Sequence, residues 1–193
     1  MLILASNSPR RKELLSMLGY TFEVRPADCD ESTHLTNPKR VVKELSKRKA
    51  KAVACAPTDT IIGSDTVVAI GKKILGKPRD EADAFQMLSL LSGHTHTVHT
   101  GVTVLQGERV VTKCISCKVT FKKMTEHEIC DYIATKEPMD KAGAYGIQGK
   151  ASAYISKVHG DYFAVVGFPC SCIDSILSEF GIKKGFNIQK SLK

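Results

Sequence analysis

Five short clusters in this chain set charged or polar side chains among small, flexible neighbours, an arrangement suited to holding phosphates or moving protons. The first is Ala5-Ser6-Asn7-Ser8-Pro9-Arg10-Arg11-Lys12. It follows the apolar run Leu2 to Leu4 and precedes Leu14, Leu15 and Leu18, which reads as a strand feeding a helix. Ser8 suits the N-cap and Pro9 the first helical position. Arg10 and Arg11 then bring the wrong charge, because a helix N-terminus is partially positive and favours acids. Two guanidiniums beside accessible N–H groups make a socket for phosphate or carboxylate; the alternative is that both point into solvent.

The second cluster is Asp30-Glu31, adjacent acids that are usually solvated. The third is Gly63-Ser64-Asp65-Thr66, between the strand-like stretches Thr60 to Ile62 and Thr66 to Ile70. A carboxylate at a strand end on a Gly turn can bind a divalent metal or take a proton from water; an Asx-type turn is the plain alternative. The fourth, Gly76-Lys77-Pro78-Arg79, presents a lysine that reaches a phosphate or stays solvated, and its spacing is not that of a P-loop. The fifth, Gly143-Ala144-Tyr145-Gly146-Ile147-Gln148-Gly149, is either a backbone that a ligand can approach closely or a sharp structural turn. Gln148 there has the paired donor and acceptor that read a base edge. His94, His96 and His99 invite a zinc reading, but two would share one strand face and the third the other, a poor geometry for one ion.

The elements that must position these residues follow from period and punctuation. Asn37-Pro38 opens a helix with Val41, Val42, Leu45, Ala52 and Val53 inward, and another runs from about Asp80 to Leu91. Thr95 to Leu105 and Val110 to Lys123 form a hairpin through Gln106-Gly107-Glu108. Thr125 and Glu128 make a capping box. Ala151 to Val158 and Tyr162 to Val166 read as a second hairpin, and a last helix covers about Ser171 to Phe180. The basic tail, about residues 182–193, is expected to be mobile. Helices mixed with hairpins imply a mixed α/β sheet.

The chain has 193 residues, 42% of them hydrophobic, and a formal net charge of +8. That excess fits an anionic partner: nucleic acid, nucleotide or acidic membrane surface. The absence of Trp, with five Tyr and seven Phe, argues against a broad base-stacking platform. No run approaches the length of a membrane span and none resembles a signal peptide, so a soluble, cytoplasmic protein is expected. The seven scattered cysteines are expected to be buried or half-buried thiols, with Cys114 and Cys117 on a strand rather than at a redox helix start.

Taken in order, the motifs resemble the Maf family of nucleoside triphosphate pyrophosphatases, also called septum formation inhibitor Maf-like proteins. The matching segments are 5–11, Asp30-Glu31-Ser32, Gly63 to Val68, Gly76-Lys77-Pro78, Asp140 to Gly149, and Gly160 to Pro169. The resemblance implies one elongated domain over 1–193 with two lobes, a bent mixed sheet and a central cleft, like inosine triphosphate pyrophosphatases. It implies hydrolysis of a nucleoside triphosphate to monophosphate and pyrophosphate with a divalent metal, Mg²⁺ first and Mn²⁺ or Co²⁺ as alternatives. By position, Asp65 matches the proton acceptor and, with Glu31, the metal region. Arg10, Thr66 and Gln148 match the positions that set base preference. Ser8, Arg11, Lys51 and Lys77 match the phosphate-lining residues. The pattern at Arg10, Thr66 and Gln148 resembles the subgroup acting on dTTP and UTP rather than on 7-methyl-GTP. A homodimer also follows from the resemblance. Two rivals remain open: a non-catalytic nucleic-acid-binding or division-regulatory protein, and a purine-type triphosphate pyrophosphatase.

Overall fold

Stretches rich in Val, Ile and Thr build the three longest strands, and those strands carry the site. The computed structural model describes residues 1–53 and 55–185. In chain order the elements are β1 (Leu2–Leu4), α1 (Pro9–Met17), β2 (Glu23–Val24), α2 (Pro38–Lys51), β3 (Thr60–Ile70), β4 (Lys73–Leu75) and α3 (Glu81–Leu91). There follow β5 (Thr95–Gln106), β6 (Arg109–Phe121), α4 (Glu126–Ala134), β7 (Ile155–His159), α5 (Tyr162–Val166) and α6 (Cys170–Glu179). Short 3-10 turns occupy Glu137–Asp140, Ala142–Ala144 and Lys150–Tyr154. No helix among the described residues is long and apolar enough to cross a membrane.

The seven strands form one mixed sheet in the order β2-β1-β3-β5-β6-β7, with β4 added to β3. β1 runs parallel to β2 and β3, and every other pairing is antiparallel. The two ends of β3 have different neighbours on their outer edge. β1 covers Thr60 to Ile62, and β4 covers Val68 to Ile70. From Gly63 to Val67 that edge has no strand partner, and Asp65 lies at the middle of the gap. A gap where the neighbour changes is the natural place for a ligand crevice in an α/β sheet.

Alternation along β3 sends its side chains to two layers. On one face lies α2. Val67 packs there with Val41, Val42 and Leu45. Gly63 and Gly101 are glycines because α2 sits on them: a Cβ would come 2.2 Å from Ser46 O and 2.1 Å from Val42 O respectively. On the other face, α1, α3, α4, α5 and α6 share one apolar cluster with Ile62, Val68, Val102 and Val104.

Three expectations need correction. The two stretches either side of Gly63 are one continuous strand, so Asp65 is mid-strand and not on a turn; Gly63 answers to helix packing, not to chain reversal. Tyr162–Val166 is a helix rather than the return strand of a hairpin. Asp161 caps it through Phe163 N and Ala164 N, and Gly167 ends it at φ 104°, so local capping overrides the β preference of the run. Residues 182–185 are not free: Ile182 N donates to Leu177 O, Gly185 N to Gly19 O, and Lys184 pairs with Asp174 at 2.7 Å. The rest of the basic tail, 186–193, lies outside the described residues.

Candidate active site

The first cluster meets the open edge of β3. Ser8 has the extended backbone of an N-cap, yet its side chain makes no capping bond, which leaves the hydroxyl to the cleft it lines. Arg11 reaches inward: Nη1 donates to Ser64 O at 2.8 Å and to Ser6 Oγ at 3.2 Å, and Nε donates to Gly167 O at 3.1 Å. One guanidinium thus ties the strand edge, the first loop and the C-terminus of α5. Burial lowers its pKa and the nearby Asp65 opposes the shift, but a guanidinium keeps its charge across the physiological range. Arg10 stays half-exposed on the cleft wall. Burial pushes the neighbouring Asp140 carboxyl up, but Lys141 and, more weakly, Arg10 outweigh it and hold the group below its ordinary value.

Asp65 projects to the α2 side and is 5% exposed. Its Oδ1 accepts a 2.7 Å bond from Lys49 Nζ, and the same ammonium lies 3.0 Å from Glu31 Oε2. Its Oδ2 is buried without a hydrogen-bond partner. The lysine expected here was Lys51; the structure instead leaves Lys51 exposed at the end of α2, outside the cleft, and brings in Lys49. Helical period explains the difference and was readable. Lys49 continues the inward series Val42, Leu45 and Ser46, whereas Lys51 follows Glu44 and Lys47 on the outer face. Arg48 braces the Glu31 loop by donating to Asp30 O and Ser32 O.

The opposite wall is the glycine-rich segment, and its glycines serve packing. A Cβ on Gly143 would meet Val68 at 2.8 Å, one on Gly146 would meet Lys141 Cε at 2.8 Å, and one on Gly149 would meet the Glu137 carboxylate at 2.1 Å. Gly143 adopts a left-handed turn at φ 69°, and Gly149 N closes a turn on Gly146 O. Gly143 N also donates to Gly76 O, which docks this segment against the loop carrying Lys77. Lys77 and Gln148 are exposed side chains on the cleft wall. Thr66, on the face of β3 opposite Asp65, bonds Thr100 Oγ1 at 2.9 Å, and Thr100 in turn donates to Ala164 O.

These residues line one cavity of about 990 Å³, which includes Ser8, Arg10, Arg11, Glu31, Lys49, Asp65, Thr66, Lys77 and Gln148. Its size suits a nucleotide-scale ligand. Arg11 and Lys49 stand beside a buried carboxylate, and Lys77 and a carboxamide, Gln148, line the facing wall. Of the expected site residues, only Lys51 is left out.

The histidines are engaged separately. His94 Nδ1 pairs with Ser92 O, His96 Nε2 with Tyr145 OH at 2.7 Å, and His99 Nδ1 with Ser116 Oγ at 2.7 Å. All seven cysteines are free thiols. Cys114 packs toward α2 and Cys117 into the opposite core, so alternation separates the pair. Cys55 and Cys130 are exposed, contrary to the expectation of burial.

With this geometry in view, the class of protein is settled by comparison: residues 1–180 match the Maf-like protein family, and the chain belongs to it. A Bacillus cereus relative named dTTP/UTP pyrophosphatase is 48% identical over 183 residues, covering 94% of this chain and 96% of the relative. A Bacillus anthracis protein of the same name is 46% identical over 183 residues, with the same coverage. Among solved structures, a HAM1 protein from Coxiella burnetii aligns over 92% of this chain and 98% of its own, at 13% identity and a TM-score of 0.48.

Proposed function

We propose that this protein hydrolyses dTTP and UTP to the monophosphate and pyrophosphate. The observation that carries the reading is the convergence of Arg11, Lys77, Lys49, Asp65 and Gln148 on one cleft, in a family whose similar members bear that activity in their names. A cytoplasmic setting fits a substrate that is a free nucleotide.

The residues divide the work by position. Asp65 Oδ2 is a buried carboxylate oxygen without a protein partner, and it accepts the proton of the attacking water. Lys49 holds Oδ1 and so fixes the direction of Oδ2. As the water oxygen bonds to the α-phosphorus, the bond from that phosphorus to the bridging oxygen breaks and pyrophosphate leaves. Arg11, held by three acceptors, presents fixed positive charge at the strand edge, and Lys77 supplies an exposed one from the facing loop. Preorganised charge of this kind is the largest usual source of rate enhancement. Gln148, Thr66 and Arg10 face the base side and set its identity.

The donor set fits a hard divalent cation. Asp65 Oδ2 is an orphaned buried oxygen and Glu31 stands at the cleft mouth. No group of three or more His, Cys, Asp or Glu among the described residues makes a complete site. Mg²⁺ takes one or two carboxylates and completes its shell with substrate phosphates and water, so the Asp65 and Glu31 carboxylates are donors of the right kind and number. Glu31 and Asp65 would hold such an ion at the cleft, and it would supply neutralisation of phosphate charge.

The test is a panel of nucleoside triphosphates with pyrophosphate release as readout. Release from dTTP and UTP well above release from ATP, GTP and ITP is expected. A purine preference, or no release from any nucleotide, refutes the reading.

A further inference from the structure

Gln148 stands on a tight turn, residues 146–150, and the structure shows what fixes that turn. The Tyr132 hydroxyl donates to Glu137 Oε1 at 2.8 Å and accepts the Gly146 N–H at 3.2 Å. Glu137 Oε2 accepts the Lys150 N–H at 3.1 Å. Gly149 N closes the turn on Gly146 O. Both ends of the segment therefore hang on one tyrosine–glutamate pair, and the missing side chain at Gly149 is what lets the carboxylate sit beneath it.

The pair is itself fastened to rigid structure. Tyr132 belongs to α4, is 3% exposed and packs in the main core. Glu137 lies in the 3-10 turn that follows, and Lys141 Nζ donates to its carbonyl at 2.8 Å. Burial, more than the Glu137 bond, raises the Tyr132 pKa, so the phenol remains a donor at neutral pH. A segment with two glycines in four residues has unusual backbone freedom when untethered. A carboxamide discriminates base edges only when it is held near its productive geometry. Tyr132 does not line the cavity, so its hydroxyl reaches a ligand only through the turn or through Glu137, which does line it.

We propose that Tyr132 and Glu137 are positioning residues that set base discrimination through Gln148, an inference that rests on the nucleotide reading above. Tyr132→Phe keeps the ring in the core and strands the Gly146 N–H and Glu137 Oε1. Its preference for dTTP over dCTP, taken as the ratio of kcat/KM values from pyrophosphate release, should fall about tenfold. The loss should come from KM for dTTP, with kcat close to the native value. Glu137→Gln retains one acceptor and should move the preference the same way by less. In a Gln148→Ala background, Tyr132→Phe should cause no further loss, since the pair acts through that side chain.

Three results overturn the proposal: native preference in Tyr132→Phe, an equal fall in kcat for every nucleotide with preference intact, or full additivity with Gln148→Ala. A native protein that releases no pyrophosphate from dTTP removes the nucleotide reading and the purpose of the clamp with it. A native protein that releases pyrophosphate from dTTP, beside an unchanged Tyr132→Phe preference, removes the clamp alone.

Discussion

Replacing Lys49 with methionine removes an ammonium while keeping an unbranched side chain of similar length, so the change is mainly electrostatic. The ammonium lies 2.7 Å from Asp65 and 3.0 Å from Glu31, whose side chains are 8% and 54% exposed. Removing one partner of a nearly buried pair costs about 3 kcal/mol, because the remaining charge is left uncompensated. The two carboxylates, within ~6 Å of each other across the lysine, would also repel by about 3 kcal/mol at an effective dielectric near 20. Solvent around the exposed Glu31 reduces that second contribution to ~1 kcal/mol. The expected loss in unfolding free energy is therefore about 3–4 kcal/mol, or a fall in Tm of roughly 10 °C for a chain of this size. Removing both charges relieves the conflict: Lys49→Met with Asp65→Asn should lie within about 1 kcal/mol of the native protein. Urea unfolding at neutral pH measures both, without nucleotide or divalent cations, which would add their own linkage. Native-like stability in Lys49→Met, or a double variant as unstable as the single one, would show that Lys49 does not neutralise Asp65 in this way.

His96 gives a pH signature. Burial pushes its imidazole down to about 4, below the unfolded value of about 6.5. Because the folded state resists the proton, this stability is full above the unfolded value and is lost as pH falls toward the folded one. His96→Gln should lose ~3 kcal/mol less than the native protein over that interval, measured by urea unfolding at its two ends; parallel losses contradict it. Gly63→Ala should cost about 3 kcal/mol or prevent folding, since its Cβ meets helix backbone, whereas Gly71→Ala, strained only by its positive φ, should cost about 1 kcal/mol. Equal melting temperatures for the two would contradict the packing of α2 described above. Lys51→Ala should leave turnover at the native level while Lys49→Ala lowers it about a hundredfold, and the reverse order would return the role to Lys51.

What the sequence made legible was mostly local. The caps at Asn37 and Thr125, the β5–β6 turn and the strand-to-helix step at Ser8 follow from residue preference within a few positions. The convergence of the clusters was legible through family resemblance, not through spacing, because they lie far apart in the chain. Two kinds of information were not local. Gly63 and Gly101 are set by a helix backbone above the sheet, and Gly149 by the Glu137 carboxylate beneath it. Tyr162–Val166 has strand-forming residues, but Asp161 and Gly167 bracket a helix that caps onto them. The choice of Lys49 over Lys51 was available from the period of α2 alone.

The proposed chemistry turns on the unpartnered oxygen of Asp65, which takes the proton in dTTP hydrolysis from the middle of β3. Asp65→Asn isolates that role, with single-turnover pyrophosphate release and nucleotide binding measured on the same preparation. Turnover should drop by about a hundredfold or more with dTTP still bound. Turnover near the native rate would remove Asp65 from the proton transfer.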